Sequence, residues 1–224
     1  MENKASKTRS LKIAFVVDAD HLRRLAVVLG EVGDSLDYTV KFSDGSSVHY
    51  TDMKDIIGLP NSTRRAITSL IAGSARDQQS AYVTLKMTSE PYVEYTLSGA
   101  QRDVTYWGDQ LDDWTATIKQ WYSWFLEGIG AGVFMIAAFA FPPFLATHLP
   151  EFFPVLSRSW VPYIFFALVV AEVLLFRLFP KGTFAIGDGA KRYKFLTSVR
   201  TVLLVGYLVS FLGSVSANLL KWHP

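Results

Sequence analysis

No cysteine occurs among the 224 residues, so neither a disulfide framework nor a thiolate metal site can be built from this chain. Charge is also scarce: 19 % of residues are charged, against about a quarter in an ordinary soluble domain. No export signal is legible. Lys4, Lys7 and Arg9 are followed by an apolar run over only residues 13–17, too short for a signal-peptide core and closed by Asp18. Residues 1–126 lack any basic excess, with 14 Lys+Arg against 16 Asp+Glu, which leaves no nucleic-acid footprint in that half.

Recognisable chemistry is missing too. His21, His49, His148 and His223 have no ligand partners at metal spacing, and no phosphate-cradling glycine loop follows a strand. Asp18 and Asp20 read as a strand end and a helix cap rather than a metal-binding pair. Asp109, Asp112 and Asp113 read as the solvated face of a helix. Arg64-Arg65 suits either an acidic partner or a charged strand entry. No serine has a base and an orienter nearby, so the expectation is a protein without catalytic residues, cofactor or metal.

What is present divides the chain in two. Residues 1–126 alternate polar and apolar side chains and predict a cytosolic α+β domain, an antiparallel sheet of five or six strands with one early and one late helix. Strands are predicted over 12–17, 38–42, 47–51, 66–72, 81–88 and 92–98. Asp44-Gly45 marks a hairpin turn, Asp20 caps a first helix to about Leu29, and Asp52 caps a short helical turn before the breaker Gly58-Leu59-Pro60-Asn61. The late helix, 103–126, carries Val104, Trp107, Leu111, Trp114, Ile118, Trp121 and Phe125 at alternating steps of three and four, a heptad seam. Either this stripe packs on the sheet or it self-associates. Its continuation through Gly128 and Gly132 predicts one continuous helix coupling the head to the second half, with Gly108 and Gly128-Ile129-Gly130 as its points of loosening.

Residues 127–224 hold three long, nearly uncharged runs and predict a helical membrane bundle of two or three spans, at about 128–148, 160–179 and 200–220. The intervening segment 180–199 carries Lys181, Lys191, Arg192 and Lys194, with Arg177 and Arg200 at its edges. By the positive-inside rule it is an inner loop, with the head cytoplasmic. Glu172 lies inside the second run, either as a working carboxylate or paired with a basic residue near the surface. Gly206, Ser210 and Gly213 suit close helix packing in the third run. On this reading the partners are the lipid bilayer, a cytosolic protein or nucleoprotein complex, and a further copy of the chain.

Three segments carry a resemblance: Phe42-Ser43-Asp44-Gly45-Ser46, residues 106–122 leading into the first apolar run, and the stretch from Phe179-Pro180-Lys181-Gly182 to Gly187-Asp188-Gly189. They are similar to strings in bacterial antiphage effectors, in particular the small transmembrane effectors of retron and cyclic-nucleotide signalling systems. The resemblance implies an inner-membrane effector of abortive infection whose head holds a partner, and it transfers no active-site residue. The alternative is a non-toxic membrane tether or scaffold that recruits a cytosolic partner.

Overall fold

Alternation of apolar and polar residues over 35–100 produces a sheet with one covered and one solvated face, as antiparallel sheets permit. The computed structural model describes residues 4–90, 92–126 and 177–221. Its main sheet has six strands: β1 (Lys4–Leu11), β3 (Ser35–Phe42), β4 (Ser47–Tyr50), β5 (Ile67–Arg76), β6 (Gln79–Lys86) and β7 (Val93–Ala100). Their order across the sheet is β1-β7-β6-β5-β3-β4, with every neighbouring pair antiparallel. The β3–β4 turn forms where the Asp44-Gly45 signal predicts it. Gly45 takes φ 83°, and the Asp44 carboxylate accepts from the backbone N–H and hydroxyl of Ser46.

β1 is an edge strand, hydrogen-bonded among the described strands only to β7. Lys4, Lys7 and Arg9 lie along it, charges that discourage further strand addition at an exposed edge. A second, two-stranded sheet pairs β2 (Phe15–Asp18) in parallel with β8 (Gly182–Ala185), which lies far along the chain. Asp18, rather than Asp20, caps α1 (Ala19–Val32): its side chain accepts from the N–H groups of Asp20 and His21. Asp52 caps α2 (Met53–Ile57) as predicted.

α3 (Gln101–Ile118) buries Val104, Trp107, Leu111, Trp114 and Ile118 against the sheet and α1. It stops there. Lys119 turns extended and bridges to Phe15, and the Gln120 N–H donates to the Ala14 carbonyl. The one-turn α4 (Ser123–Leu126) follows, so residues 103–126 are not one continuous helix. α5 (Asp188–Lys221) is 34 residues long and begins directly after β8.

The expected membrane bundle is overturned. Among the described residues no helix is long and apolar enough to cross a membrane, and the expected multi-pass inner-membrane location falls with the bundle. The first expected span and nearly all of the second lie outside the described residues. The third falls within α5, whose first half carries Asp188, Lys191, Arg192, Lys194 and Arg200 and is tied to the head by polar contacts from Arg192 and Tyr193.

Candidate functional site

The sheet domain and the start of α5 meet at a junction built from four separate stretches of chain. At its centre is the backbone of Ala14 and Phe15. The Ala14 N–H donates to Ser123 Oγ at 3.0 Å, and its carbonyl accepts from Gln120 N–H and from the Ser123 hydroxyl. Phe15 N–H donates to the Lys181 carbonyl at 3.0 Å, which starts the β2–β8 pairing. The Phe15 ring is fully buried and meets Phe184 edge-on at 5.8 Å. β2 therefore holds the end of α3 on one side and the strand leading into α5 on the other.

A second contact comes from the loop after α2. Asn61 is buried at 3 % exposure with φ 43°, a left-handed conformation that Asn tolerates better than most residues. Its Nδ2 donates to the carbonyls of Phe184 (2.7 Å) and Ile186 (3.4 Å), while Oδ1 accepts from Ile67 N–H at 2.9 Å. One side chain thus ties its own loop, β5 and the β8–α5 turn together. The arrangement continues outward: the Arg192 guanidinium donates to the Asn61 carbonyl at 2.7 Å and to Thr63 Oγ1 at 3.2 Å. Asp188 N–H donates to the Pro60 carbonyl at 2.8 Å. The chain can approach this closely because of two glycines. A Cβ on Gly187, which has φ 50°, would sit 2.4 Å from the Pro60 carbonyl oxygen, and one on Gly189 would sit 2.3 Å from Asn61 Nδ2.

The third contact is aromatic. Arg200, 5 % exposed, places its guanidinium 5.2 Å from the Tyr122 ring, 5.4 Å from Phe179 and 5.8 Å from Tyr193. Its Nε donates to the Leu178 carbonyl, and among the described residues its Nη2 has no hydrogen-bond partner. The Tyr122 hydroxyl donates to the Pro180 carbonyl at 2.9 Å, and burial pushes its pKa up to about 12 despite the opposing charge of Arg200. A cleft of about 220 Å³ opens beside the junction between Ile67, Met87, Phe184 and Tyr193.

The seam residues separate into two groups. Trp107, Leu111, Trp114 and Ile118 are core, with the Trp114 indole N–H donating to the His21 carbonyl at 2.9 Å. Trp121 lies past the end of α3, 61 % exposed, with its ring edge-on to Tyr122 and Phe179. Phe125 lies on α4, Gly206, Ser210 and Gly213 lie on α5, and Glu172 lies outside the described residues. Asp112 is not on a solvated face. Its carboxylate accepts from Tyr95 Oη (2.6 Å) and Lys7 Nζ (3.2 Å) and pairs with Arg9. Partial burial raises its pKa, and these partners outweigh that effect, so the group sits below the usual carboxylate range.

The sequence reading places Gly187-Asp188-Gly189 in an inner loop and Asn61 in a breaker. A Gly-x-Gly directly before a helix was the available signal for a close approach; nothing local marked Asn61, whose acceptors lie 123 and 125 residues away. Among the described residues no group of three or more His, Asp or Glu is placed to hold a metal ion. No protein-family model, no curated protein and no solved structure matches the chain.

Proposed function

We propose that this chain is a non-catalytic sensor–effector, in which the α+β head engages a protein or nucleoprotein partner and α5 is the output element. The observation that carries the reading is the junction itself. A helix of 34 residues is held near its start by Asn61, Arg192 and Arg200, while the strand leading into it and the end of the seam helix α3 both bond to the stretch Ala14-Phe15. A displacement of α3 or of the 59–63 loop therefore has a direct mechanical route to α5. A groove of about 330 Å³ between α1 and α3, lined by Val27, Val28 and Trp114 with Arg24 and Asp113 at its rim, offers the head a surface for its partner. The resemblance of the three segments to antiphage effectors supplies the setting, defence against phage.

The test is a phage challenge of bacteria expressing the wild-type chain, Arg192→Ala or an empty vector. The reading expects at least a tenfold drop in plaques for the wild type. It expects Arg192→Ala either to lose that protection or to arrest growth without phage, at unchanged protein level. Plaque counts equal to the vector across the panel, with normal growth of both strains, would count against it.

A further inference from the structure

Beyond the head, α5 presents a row of apolar side chains to solvent. Phe195 is 68 % exposed, Val202 70 %, Val205 52 % and Val209 65 %, and with exposed Ser198 they follow the steps three, four, three, four. That spacing keeps all five on one side of a helix wound into a two-stranded coil, with Phe195, Val202 and Val209 at the first apolar position of each heptad. The head grips a different side. Arg192, Tyr193 and Arg200 make the contacts, Gly189 lies against Asn61 and Leu196 lines the adjoining cleft, and at 100° per residue the mean direction of these five is roughly 155° from the row. The row is therefore unobstructed by the domain that holds the helix.

We infer that this row is the interface with a second copy of the same chain, α5 against α5 in parallel. Independently of the sensor–effector reading, three features select that occupant. The heptad spacing is self-complementary, so the same face serves both copies of a two-fold pair. Valine at two of the three first positions suits a parallel pair, where β-branched side chains pack well at that position, with Ser198 and Val205 at the second. The exposed part of the row with its flanks, Thr201 and Gly206, comes to roughly 500 Å² per copy. Pairing removes on the order of 1,000 Å² in total, the lower end of what a specific interface needs. A Cβ on Gly206 would meet nothing within 4 Å, so the helix backbone is open to a close neighbour at that level.

The absence of cysteine makes the test clean. Single cysteines are introduced into the full chain at Val202, Val205 and Val209 on the row and at Leu203 off it, followed by mild oxidation. Covalent dimer is expected from the three row positions at least tenfold faster than from Leu203→Cys. Sedimentation of the wild type should give two copies, and Val202→Glu should give one with an unchanged circular dichroism spectrum. Equal cross-linking at all four positions would overturn the inference. So would a wild-type chain that sediments as a monomer, or one that floats with phosphatidylglycerol vesicles as a monomer. If Val202→Glu fails to fold, the cross-linking pattern decides alone.

Discussion

Replacing Asn61 by alanine should release the start of α5 from the head, and the structure sets the size of the effect. The substitution removes the bonds to Phe184, Ile186 and Ile67, and it leaves the Ile67 N–H and the Phe184 carbonyl without their partner in a buried setting. Each buried group left unsatisfied costs about 1–3 kcal/mol. Alanine at φ 43° adds about 1–2 kcal/mol of left-handed strain. Water from the adjoining cleft can satisfy part of the lost bonding, so the net expectation is about 3 kcal/mol. Urea unfolding of the full chain, followed by tryptophan fluorescence, reads this directly. Asn61→Gly separates the two contributions, since glycine adopts the left-handed region freely; it should lie about 1 kcal/mol above Asn61→Ala. An Asn61→Ala variant within about 0.5 kcal/mol of wild type would refute the assignment of Asn61 as the central tie, because one orphaned buried group alone costs more.

Other positions give independent checks. Gly187→Ala should destabilise by about 2 kcal/mol or more in the same assay, because its Cβ would meet the Pro60 carbonyl at 2.4 Å and its φ of 50° is strained for any side chain. Tyr38→Phe should be neutral or stabilising by up to about 1 kcal/mol, since among the described residues the buried Tyr38 hydroxyl has no hydrogen-bond partner. The Asp112 carboxyl has a folded pKa below its unfolded value, so its contribution is present above about pH 4 and is lost as pH falls through the depressed folded pKa. Asp112→Asn should therefore flatten the acid limb of a stability–pH curve below that point, while lowering stability at neutral pH.

Local signals made much of the head legible before its structure. The Asp44-Gly45 turn and the Asp52 cap determine their own geometry, so β3, β4 and α2 lie within three residues of expectation. Alternation likewise placed β5, β6 and β7. β1 was not legible because, as an edge strand, it exposes most of its side chains and resembles a charged tail. The apparent length of the seam helix misled for another reason. Heptad spacing continues through Trp121 and Phe125, but strand-like bonds from Ala14 and Phe15 end the helix at Ile118, a tertiary constraint that spacing does not contain. The charge of 180–199 was read as topology. In the structure Lys181 contributes its carbonyl to Phe15, Gly182–Ala185 forms a strand, and Arg192 and Arg200 hold α5 to the head. Asn61, Arg192 and Arg200 were missed as a site because each acts through partners remote in sequence.

The central claim is that the end of α3, β2, β8 and the start of α5 open as one cooperative unit. Native-state hydrogen exchange measures this at three amides: Gln120, bonded to Ala14; Phe15, bonded to Lys181; and Asp188, bonded to Pro60. The account predicts opening free energies for the three that agree within about 1 kcal/mol and fall together in Arg192→Ala. Exchange at Asp188 that is orders of magnitude faster than at Gln120, with Gln120 unaffected by Arg192→Ala, would show that α5 is merely attached to the head and would contradict the coupling.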